Sequence, residues 1–303
     1  MIRQPSRKLV LFLLIGLLLF TACKKPNDSA SLRPAPSEDE DRSSEEVTSS
    51  SASPLFPKPD SGKEEDPGES LPGEKEGENF RREFLVCLDP GHSAHASTKG
   101  EPIGPGSKEM KRMASLGSAG IRSGVGEYEV NLDVATLLRS ELEKRGYRVL
   151  MTRESQDVLV GNVERAQMAN EAGADAFLRL HCDGSDNPRA RGAMAVTISP
   201  DNPYHPGNYR ASQQLGQALV REYTRATGLV ARKSWTTDTM TGLNWAEGPA
   251  VLFEMGFLSN PEEDLLLQDH EFREKMVQGL ADGLDAYFGE GTDARKEKED
   301  KDE

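Results

Sequence analysis

The sequence has no excess of positive charge. Its 37 lysines and arginines are outnumbered by 51 aspartates and glutamates, which gives a formal net charge of −14. Acidic segments repel nucleic acid and anionic lipid, and no basic patch interleaved with aromatic residues offsets that repulsion. The chain also has no internal repeat. We therefore expect no nucleic-acid partner.

Long apolar runs are scarce, and the one at the start of the chain is short. Residues 9–20 are apolar throughout, follow Arg3, Arg7 and Lys8, and end at Thr21-Ala22-Cys23. Basic residues, an apolar run and then small residues are typical of an export signal. The run is too short for a comfortable membrane-spanning helix.

Cys23 resembles the lipobox cysteine of bacterial lipoproteins, which is lipidated and becomes the mature N-terminus. Phe20 stands where those proteins usually have leucine. The resemblance implies a signal peptide over residues 1–23 and a lipid anchor at Cys23. The alternative is a short uncleaved membrane anchor in which Cys23 is incidental. Both alternatives place the rest of the chain outside the cytoplasm.

Residues 24–82 have the composition of a disordered segment. They contain acidic, proline-, serine- and glycine-rich stretches such as 37–41 and 72–78, and they are short of aromatic residues. Segments of this kind do not bury enough apolar surface to fold, so we expect a tether. Residues 290–303 are similarly charged and predict a disordered tail. Residues 83–289 then form one domain.

Cysteine is rare. Apart from Cys23 the chain has only Cys87 and Cys182. In an exported protein two such residues either form a disulfide or remain as buried free thiols. Both end predicted strands, and the sequence does not show whether those strands are neighbours, so both alternatives stand.

The domain alternates between strand and helix patterns. Apolar strands are predicted at 84–88, 147–152, 176–181, 193–198 and 249–254, and amphipathic helices at 160–172, 209–227 and 271–288. A further helix begins at Glu127 and has five residues at helical spacing, Val130, Val134, Leu137, Leu138 and Leu142. Strands separated by helices of this length predict a single-domain α/β fold, with an open, mixed but mostly parallel sheet covered by helices on both faces.

Polar side chains lie where three of these strands end. His92 follows the first strand through the turn Asp89-Pro90-Gly91, His181 ends another strand, and Glu254 ends a third. Glu127, at the start of its helix, is expected to point toward the same edge. Ligands of open α/β sheets bind at the carboxyl ends of the strands. We therefore expect these four side chains to converge.

Two imidazoles and one carboxylate are a ligand set that holds a catalytic zinc ion with one position open for water. A further carboxylate must take the proton of that water and pass one to the leaving amine. Glu254 fits this role because apolar neighbours raise its pKa. Other interpretations remain open: His92 as a turn residue, His181 as an ordinary strand-end histidine, and Glu127 as a carboxylate favoured by the helix dipole.

The motifs continue in order along the domain: Asp89-Pro90-Gly91-His92, Glu127 followed by Val130-Asn131-Leu132, 146–153, 165–170, 173–177, Leu180-His181 and 249–263. Together they resemble the zinc-dependent N-acetylmuramoyl-L-alanine amidases, bacterial cell-wall hydrolases of the amidase-3 type. The resemblance covers nearly all of residues 84–288. It implies one Zn²⁺ per domain, held by His92, Glu127 and His181, with Glu254 as the catalytic carboxylate.

The resemblance also implies the substrate, the amide between N-acetylmuramic acid and the L-alanine that begins the stem peptide of peptidoglycan. A lipid anchor and a long tether suit an enzyme that faces the cell wall from the membrane. Two alternatives remain, a zinc peptidase that cuts within the stem peptide and a wall-binding lipoprotein without activity. All four site residues are present, which disfavours the second. The sequence indicates neither an activator protein nor a physiological role.

Three stretches depart from the commoner form of the family. Residues 101–124 are long and glycine-rich, resemble a variant of exported amidases of Gram-positive anaerobes, and predict either a lid or wall over the cleft or an irregular surface loop. Cys182-Asp183-Gly184 replaces the usual Ala-Asn. In residues 237–245, Asn244 and Trp245 are expected to contact substrate, the latter by stacking, although a core aromatic is the alternative for it.

Overall fold

The structure is a computed structural model that describes residues 84–302, and beyond residue 289 it describes only the helical backbone. The expected signal peptide, lipidated Cys23 and tether lie outside these residues. None of the helices in the described part combines the length and the apolar character needed to cross a membrane.

The described strands are, in chain order, Leu85–Pro90 (β1), Ser97–Pro102 (β2), Met110–Ala114 (β3), Arg148–Met151 (β4), Ala176–Asp183 (β5), Met194–Thr197 (β6), Trp235–Thr236 (β7) and Ala250–Phe257 (β8). The described helices are Glu127–Lys144 (α1), Asn162–Glu171 (α2), Tyr209–Thr227 (α3), Thr241–Asn244 (α4), Pro261–Gln268 (α5) and His270–Asp302 (α6). A single 3₁₀ turn, Pro206–Asn208, precedes α3 in this part of the chain.

Six strands form one sheet in the order β4-β1-β5-β8-β6-β7, and β2 and β3 form a separate antiparallel hairpin. The strands β4, β1, β5 and β8 are mutually parallel. β6 runs antiparallel to β8, and β7 runs parallel to β6. The predicted fold class, a mixed but mostly parallel open α/β sheet, is confirmed.

Helices cover both faces of the sheet because the residues of each strand alternate between two hydrophobic cores. On β1, Val86 and Leu88 belong to the first core and Cys87 to the second. The first core contains apolar residues of α1, α3 and α6, and the second contains residues of α2 and α4. The sheet is therefore the middle layer of three.

The two cysteines within the described part are buried free thiols. Cys87 faces the second core and Cys182 faces the first, so the two sulfurs lie on opposite faces of the sheet. Of the two alternatives left open by the sequence, the free thiols are found and the disulfide is not. Burial raises the pKa of both thiols, which keeps them protonated.

Two details of the helices differ from expectation. The buried stripe of α1 follows a spacing of four residues through Val130, Val134, Leu138 and Leu142, whereas Leu137 lies at its edge and is 40% exposed. Helix α6 continues to Asp302, through the segment for which a disordered tail is predicted. Gly289 and Gly291 stand near its start, but the rest of the segment is rich in strong helix formers that place opposite charges four residues apart, which favours the helix.

Residues 101–124 are attached to the rest of the domain near both of their ends. Glu101 accepts hydrogen bonds from the first two backbone amides of α2, both at 3.1 Å. Asp264 accepts hydrogen bonds from the backbone amides of Arg122 and Ser123, at 2.6 and 2.8 Å. The segment is therefore a wall that combines part of the β2–β3 hairpin with irregular turns held by these bonds.

Truncation of adjacent leucines on α1 tests the position of the first core. Leu138→Ala is expected to lower the free energy of unfolding by about 2–5 kcal/mol, because Leu138 is fully buried. Leu137→Ala is expected to lower it by less than about 1 kcal/mol, because that side chain is already exposed to water. Urea denaturation measures both values, and equal losses would contradict the described face of α1.

Candidate active site

Two predicted site residues lie on neighbouring parallel strands. His181 of β5 and Glu254 of β8 are partners in the register of the sheet. Side chains two residues apart on a strand share a face, so His181 shares a face with Phe177 and Arg179, and Glu254 shares it with Leu252. Phe177 and Leu252 belong to the second core. The site therefore lies at the end of the face that α2 covers.

His92 is held in a left-handed conformation directly after β1. Its φ of 61° is positive, which no other non-glycine residue shows within residues 84–289. Arg165 donates a hydrogen bond to the backbone oxygen of His92 at 2.9 Å. The Nδ1 atom of His92 lies 2.9 Å from the backbone oxygen of Ser115. Such a conformation is strained and persists where the surroundings fix it. These contacts orient the imidazole.

Two glycines allow the site residues to approach the backbone closely. A Cβ at Gly91 would lie 2.3 Å from Nε2 of His181, and a Cβ at Gly117 would lie 2.5 Å from Oε2 of Glu127. Both distances are too short for a Cβ and a non-bonded nitrogen or oxygen. Gly117 also has a φ of 79°. Only glycine fits at these positions.

Glu127 begins α1, and its carboxylate is buried. Its Oε2 accepts hydrogen bonds from the backbone amide and the hydroxyl of Ser118, at 2.8 and 3.1 Å. Its Oε1 lies 3.0 Å from Nδ1 of His181 and 3.2 Å from Nε2 of His92. Burial by itself would raise the pKa of Glu127, but the hydrogen bonds from the two imidazoles lower it well below its usual value. The carboxylate is therefore ionised.

The structure brings His92, Glu127 and His181 together, with one possible ligand atom from each within 4.8 Å of the others. Among the described residues, the buried Nε2 of His181 has no hydrogen-bond partner. Burial lowers the pKa of His181 to about 4, which leaves the imidazole neutral at pH 7. Neutral imidazole and ionised carboxylate are the forms that bind metals. The donor set therefore fits a metal ion.

Glu254 stands beside this cluster with an unused oxygen. Its Oε2 is buried and has no hydrogen-bond partner within the described chain. Burial raises the pKa of Glu254 well above its usual value, and the charges of Glu127 and Asp183 raise it further. A shielded carboxyl without a partner is costly, and such groups concentrate at functional sites.

The unusual residues after His181, Cys182 to Gly184, leave the contacts of the cluster intact. The backbone amide of Cys182 donates to Oε1 of Glu127 at 3.2 Å, which a residue of any type except proline could do. Asp183 lies 3.8 Å from the guanidinium of Arg232. The departure from the usual Ala-Asn therefore changes the side chains next to the cluster without removing its hydrogen bonds.

A buried ion network lies next to the cluster, and the sequence analysis missed it. Asp89 is fully buried, and its two carboxylate oxygens each accept a 2.6 Å hydrogen bond, one from Arg165 and one from Arg179. Burial alone would raise the pKa of Asp89, but the two guanidiniums hold it far below its usual range. One signal was available, because Arg179 interrupts an apolar strand and a buried charge needs a partner.

The two residues expected to contact substrate belong to the scaffold. Asn244 is fully buried, and its amide donates hydrogen bonds to the backbone oxygens of Ile103 and Asp238, at 3.0 and 2.8 Å. Trp245 packs on the second core and donates from Nε1 to the backbone oxygen of Pro102 at 2.9 Å. Both side chains therefore hold the wall in place. Of the two interpretations of Trp245, substrate stacking and a core aromatic, the second describes its position.

Comparison with known families decides the relationship. The family Amidase_3, described as N-acetylmuramoyl-L-alanine amidase, matches residues 86–286. The chain belongs to this amidase family. The matched range contains the three clustered residues and Glu254. The predicted enzyme class, an N-acetylmuramoyl-L-alanine amidase, is confirmed.

Curated relatives of the amidase come from distant bacteria. N-acetylmuramoyl-L-alanine amidase AmiA of Escherichia coli K12 is 27% identical over 248 residues, which cover 67% of this chain and 76% of AmiA. N-acetylmuramoyl-L-alanine amidase Rv3717 of Mycobacterium tuberculosis is 27% identical over 220 residues, which cover 70% of this chain and 89% of Rv3717.

A solved structure supports the same relationship. The crystal structure of the N-acetylmuramyl-L-alanine amidase Ami1 from Mycobacterium smegmatis superimposes with a TM-score of 0.62 at 28% sequence identity. The match covers 68% of this chain and 97% of Ami1. The described domain therefore corresponds to nearly the whole of that solved chain.

Neutralising the buried carboxylate tests the ion network. Asp89→Asn is expected to lower the free energy of unfolding by about 3–5 kcal/mol, because it leaves two buried guanidiniums without their counter-charge. Asp157→Asn, at an exposed position, is the matched control and is expected to change it by less than about 0.5 kcal/mol. Urea denaturation at pH 7 measures the free energy of unfolding of both variants. An Asp89→Asn variant as stable as the unaltered protein would contradict the importance of the network.

Proposed function

We propose that the protein is a zinc-dependent peptidoglycan hydrolase that cleaves the amide between N-acetylmuramic acid and L-alanine. His92, Glu127 and His181 would hold one zinc ion, and Glu254 would act as general acid and base. The main support is the convergence of two imidazoles and a buried carboxylate beside a second carboxyl, whose Oε2 has no hydrogen-bond partner among residues 84–289. Membership of the amidase family agrees with this chemistry.

A bound zinc ion would supply a water of lowered pKa and would polarise the carbonyl of the scissile amide. The residues of the chain carry out the proton transfers. Glu254 accepts the proton of the attacking water at its carboxylate and delivers a proton to the nitrogen of the departing L-alanine. Its raised pKa favours the protonated form that delivers a proton to the leaving nitrogen. Glu127 and His92 keep the orientation given by their contacts to Ser118 and Ser115.

The location of the protein follows from its substrate. Peptidoglycan lies outside the cytoplasmic membrane, so an export signal over residues 1–23, a lipid anchor at Cys23 and the tether 24–82 would carry the domain to it. The named relatives from E. coli and M. tuberculosis are themselves N-acetylmuramoyl-L-alanine amidases. We therefore place the domain at the outer side of the membrane, facing the wall.

Digestion of purified peptidoglycan tests the reaction. The full-length, zinc-loaded protein is expected to release intact stem peptides with a free L-alanine amino group, which mass spectrometry identifies. Cuts between amino acids of the stem would instead indicate the peptidase alternative. Binding to the wall without any released fragment would indicate the non-catalytic alternative.

Replacing the proposed proton-transfer group is expected to remove the activity and leave the metal site. Glu254→Gln should lower kcat by about 10²–10⁴-fold while the protein still binds one zinc ion. Glu247→Gln, at an exposed position, is the control and should keep the normal kcat. A Glu254→Gln variant with more than a tenth of the normal kcat would contradict the proposed role.

Metal removal tests the cofactor. A chelator is expected to abolish hydrolysis, and added Zn²⁺ is expected to restore it. By metal analysis, His181→Ala should lose the bound zinc, whereas His270→Ala, which alters an exposed histidine at the start of α6, should retain one ion per chain. Full activity after complete zinc removal would contradict the zinc mechanism.

A further inference from the structure

A cavity of about 180 Å³ opens beside the histidines of the cluster. Its lining includes His92 and His181 of the cluster, Asn162 and Arg165 of α2, and Arg112 of the β2–β3 hairpin. Binding pockets for whole small ligands are usually about 300–1,000 Å³. This cavity is therefore large enough only for the part of a substrate that lies next to the reacting bond.

Arg112 has no structural task that accounts for its position. Its side chain is exposed, and it makes no hydrogen bond or ion pair with any residue that the structure describes. The neighbouring Lys111, by contrast, donates a hydrogen bond to the backbone oxygen of Thr239. A guanidinium presents several donors in a fixed plane that matches a carboxylate. Arg112 is therefore available to bind an anion that enters the cavity.

The hairpin that carries Arg112 is fixed in position. Both oxygens of Glu101 accept hydrogen bonds from the first amides of α2, and among the described residues this carboxylate forms no ion pair with Arg112. Asn162 donates from its side chain to the backbone oxygen of Met113 at 2.9 Å. These bonds join β2 and β3 to α2 at the edge of the cavity. The backbone that carries Arg112 is therefore held in place before a ligand binds.

The buried charges next to the cavity balance one another. Arg153, Arg165 and Arg179 are each 3% exposed, and Asp89 is the carboxylate that pairs with two of them. Arg153 donates only to backbone oxygens within the described chain, among them that of Gly91 at 3.1 Å. With the carboxylates of Glu127 and Glu101 also counted, these buried charges balance, which leaves the guanidinium of Arg112 as an unpaired charge among the described residues at the cavity.

We propose that Arg112 binds a free carboxylate of the stem peptide and makes the enzyme selective for it. The inference rests on the proposed function. In a muramoyl peptide the sugar carries no free carboxylate, because its lactyl carboxyl forms the scissile amide. The acidic residue that follows L-alanine is joined through its side chain and presents an α-carboxyl that is either free or amidated. Arg112 distinguishes these two forms.

Two muramoyl peptides that differ only in this group, α-carboxylate or α-amide, provide the test. With full-length, zinc-loaded protein, kcat/KM is expected to be about tenfold or more higher for the carboxylate, as for a hydrogen bond to a charged group. Arg112→Gln should lower kcat/KM for the carboxylate by that factor and leave the value for the amide unchanged. Arg112→Lys should keep part of the preference, since it keeps the charge and loses the planar fork.

Lys99→Gln is the matched control, because it removes the same charge from an exposed position on the same hairpin outside the cavity. It should behave as the unaltered protein. Turnover of the amide substrate shows that each variant is folded. Equal turnover of both substrates by the unaltered protein, or an equal loss on both in Arg112→Gln, would overturn the role of Arg112 and leave the amidase function standing. Cleavage of neither substrate by the unaltered protein would overturn the proposed function and this inference together.

Discussion

The site depends on one buried carboxylate. Asp89 receives hydrogen bonds from Arg165 of α2 and Arg179 of β5, so a single group joins the end of β1 to a helix and to the neighbouring strand. Arg165 also donates to the backbone oxygen of His92, which fixes the strained turn that carries this imidazole. Removing one partner of a buried ion pair is far more costly than losing a surface pair. The network therefore gives the metal-binding candidates a rigid base.

The groups with unused bonding capacity lie where the rest of the site is most tightly held. Nε2 of His181 and Oε2 of Glu254 are buried without hydrogen-bond partners in the part of the chain that the structure describes, whereas Glu127 accepts bonds at both oxygens. Unpaired buried polar atoms reduce stability, so a fold retains them where function requires them. A cation bound at the cluster would give the His181 nitrogen its missing partner and leave Glu254 free to transfer protons.

The sequence allowed the fold class to be predicted from its alternating strands and helices, and the meeting of His92, Glu127 and His181 from their places at one edge of a parallel sheet. The sequence did not reveal that Asp89 is the ion-pair partner of Arg179, because this contact depends on which strands are neighbours. The exposure of Leu137 and the scaffold role of Asn244 were missed for a related reason. Helical spacing does not define which residues lie at the edge of a buried stripe. The sequence around Asn244 is the same whether its amide binds substrate or a backbone oxygen.

The zinc-edge X-ray absorption spectrum of the zinc-loaded, full-length protein tests the central claim most directly. Two imidazole nitrogens and a carboxylate oxygen are expected at about 2.0–2.2 Å, with no sulfur, and Glu254→Gln is expected to give the same spectrum. A sulfur ligand at about 2.3 Å would contradict it, because that distance would indicate zinc bound by a cysteine. A spectrum that changes in Glu254→Gln would also contradict it, because Glu254 would then be a ligand and not the proton-transfer group.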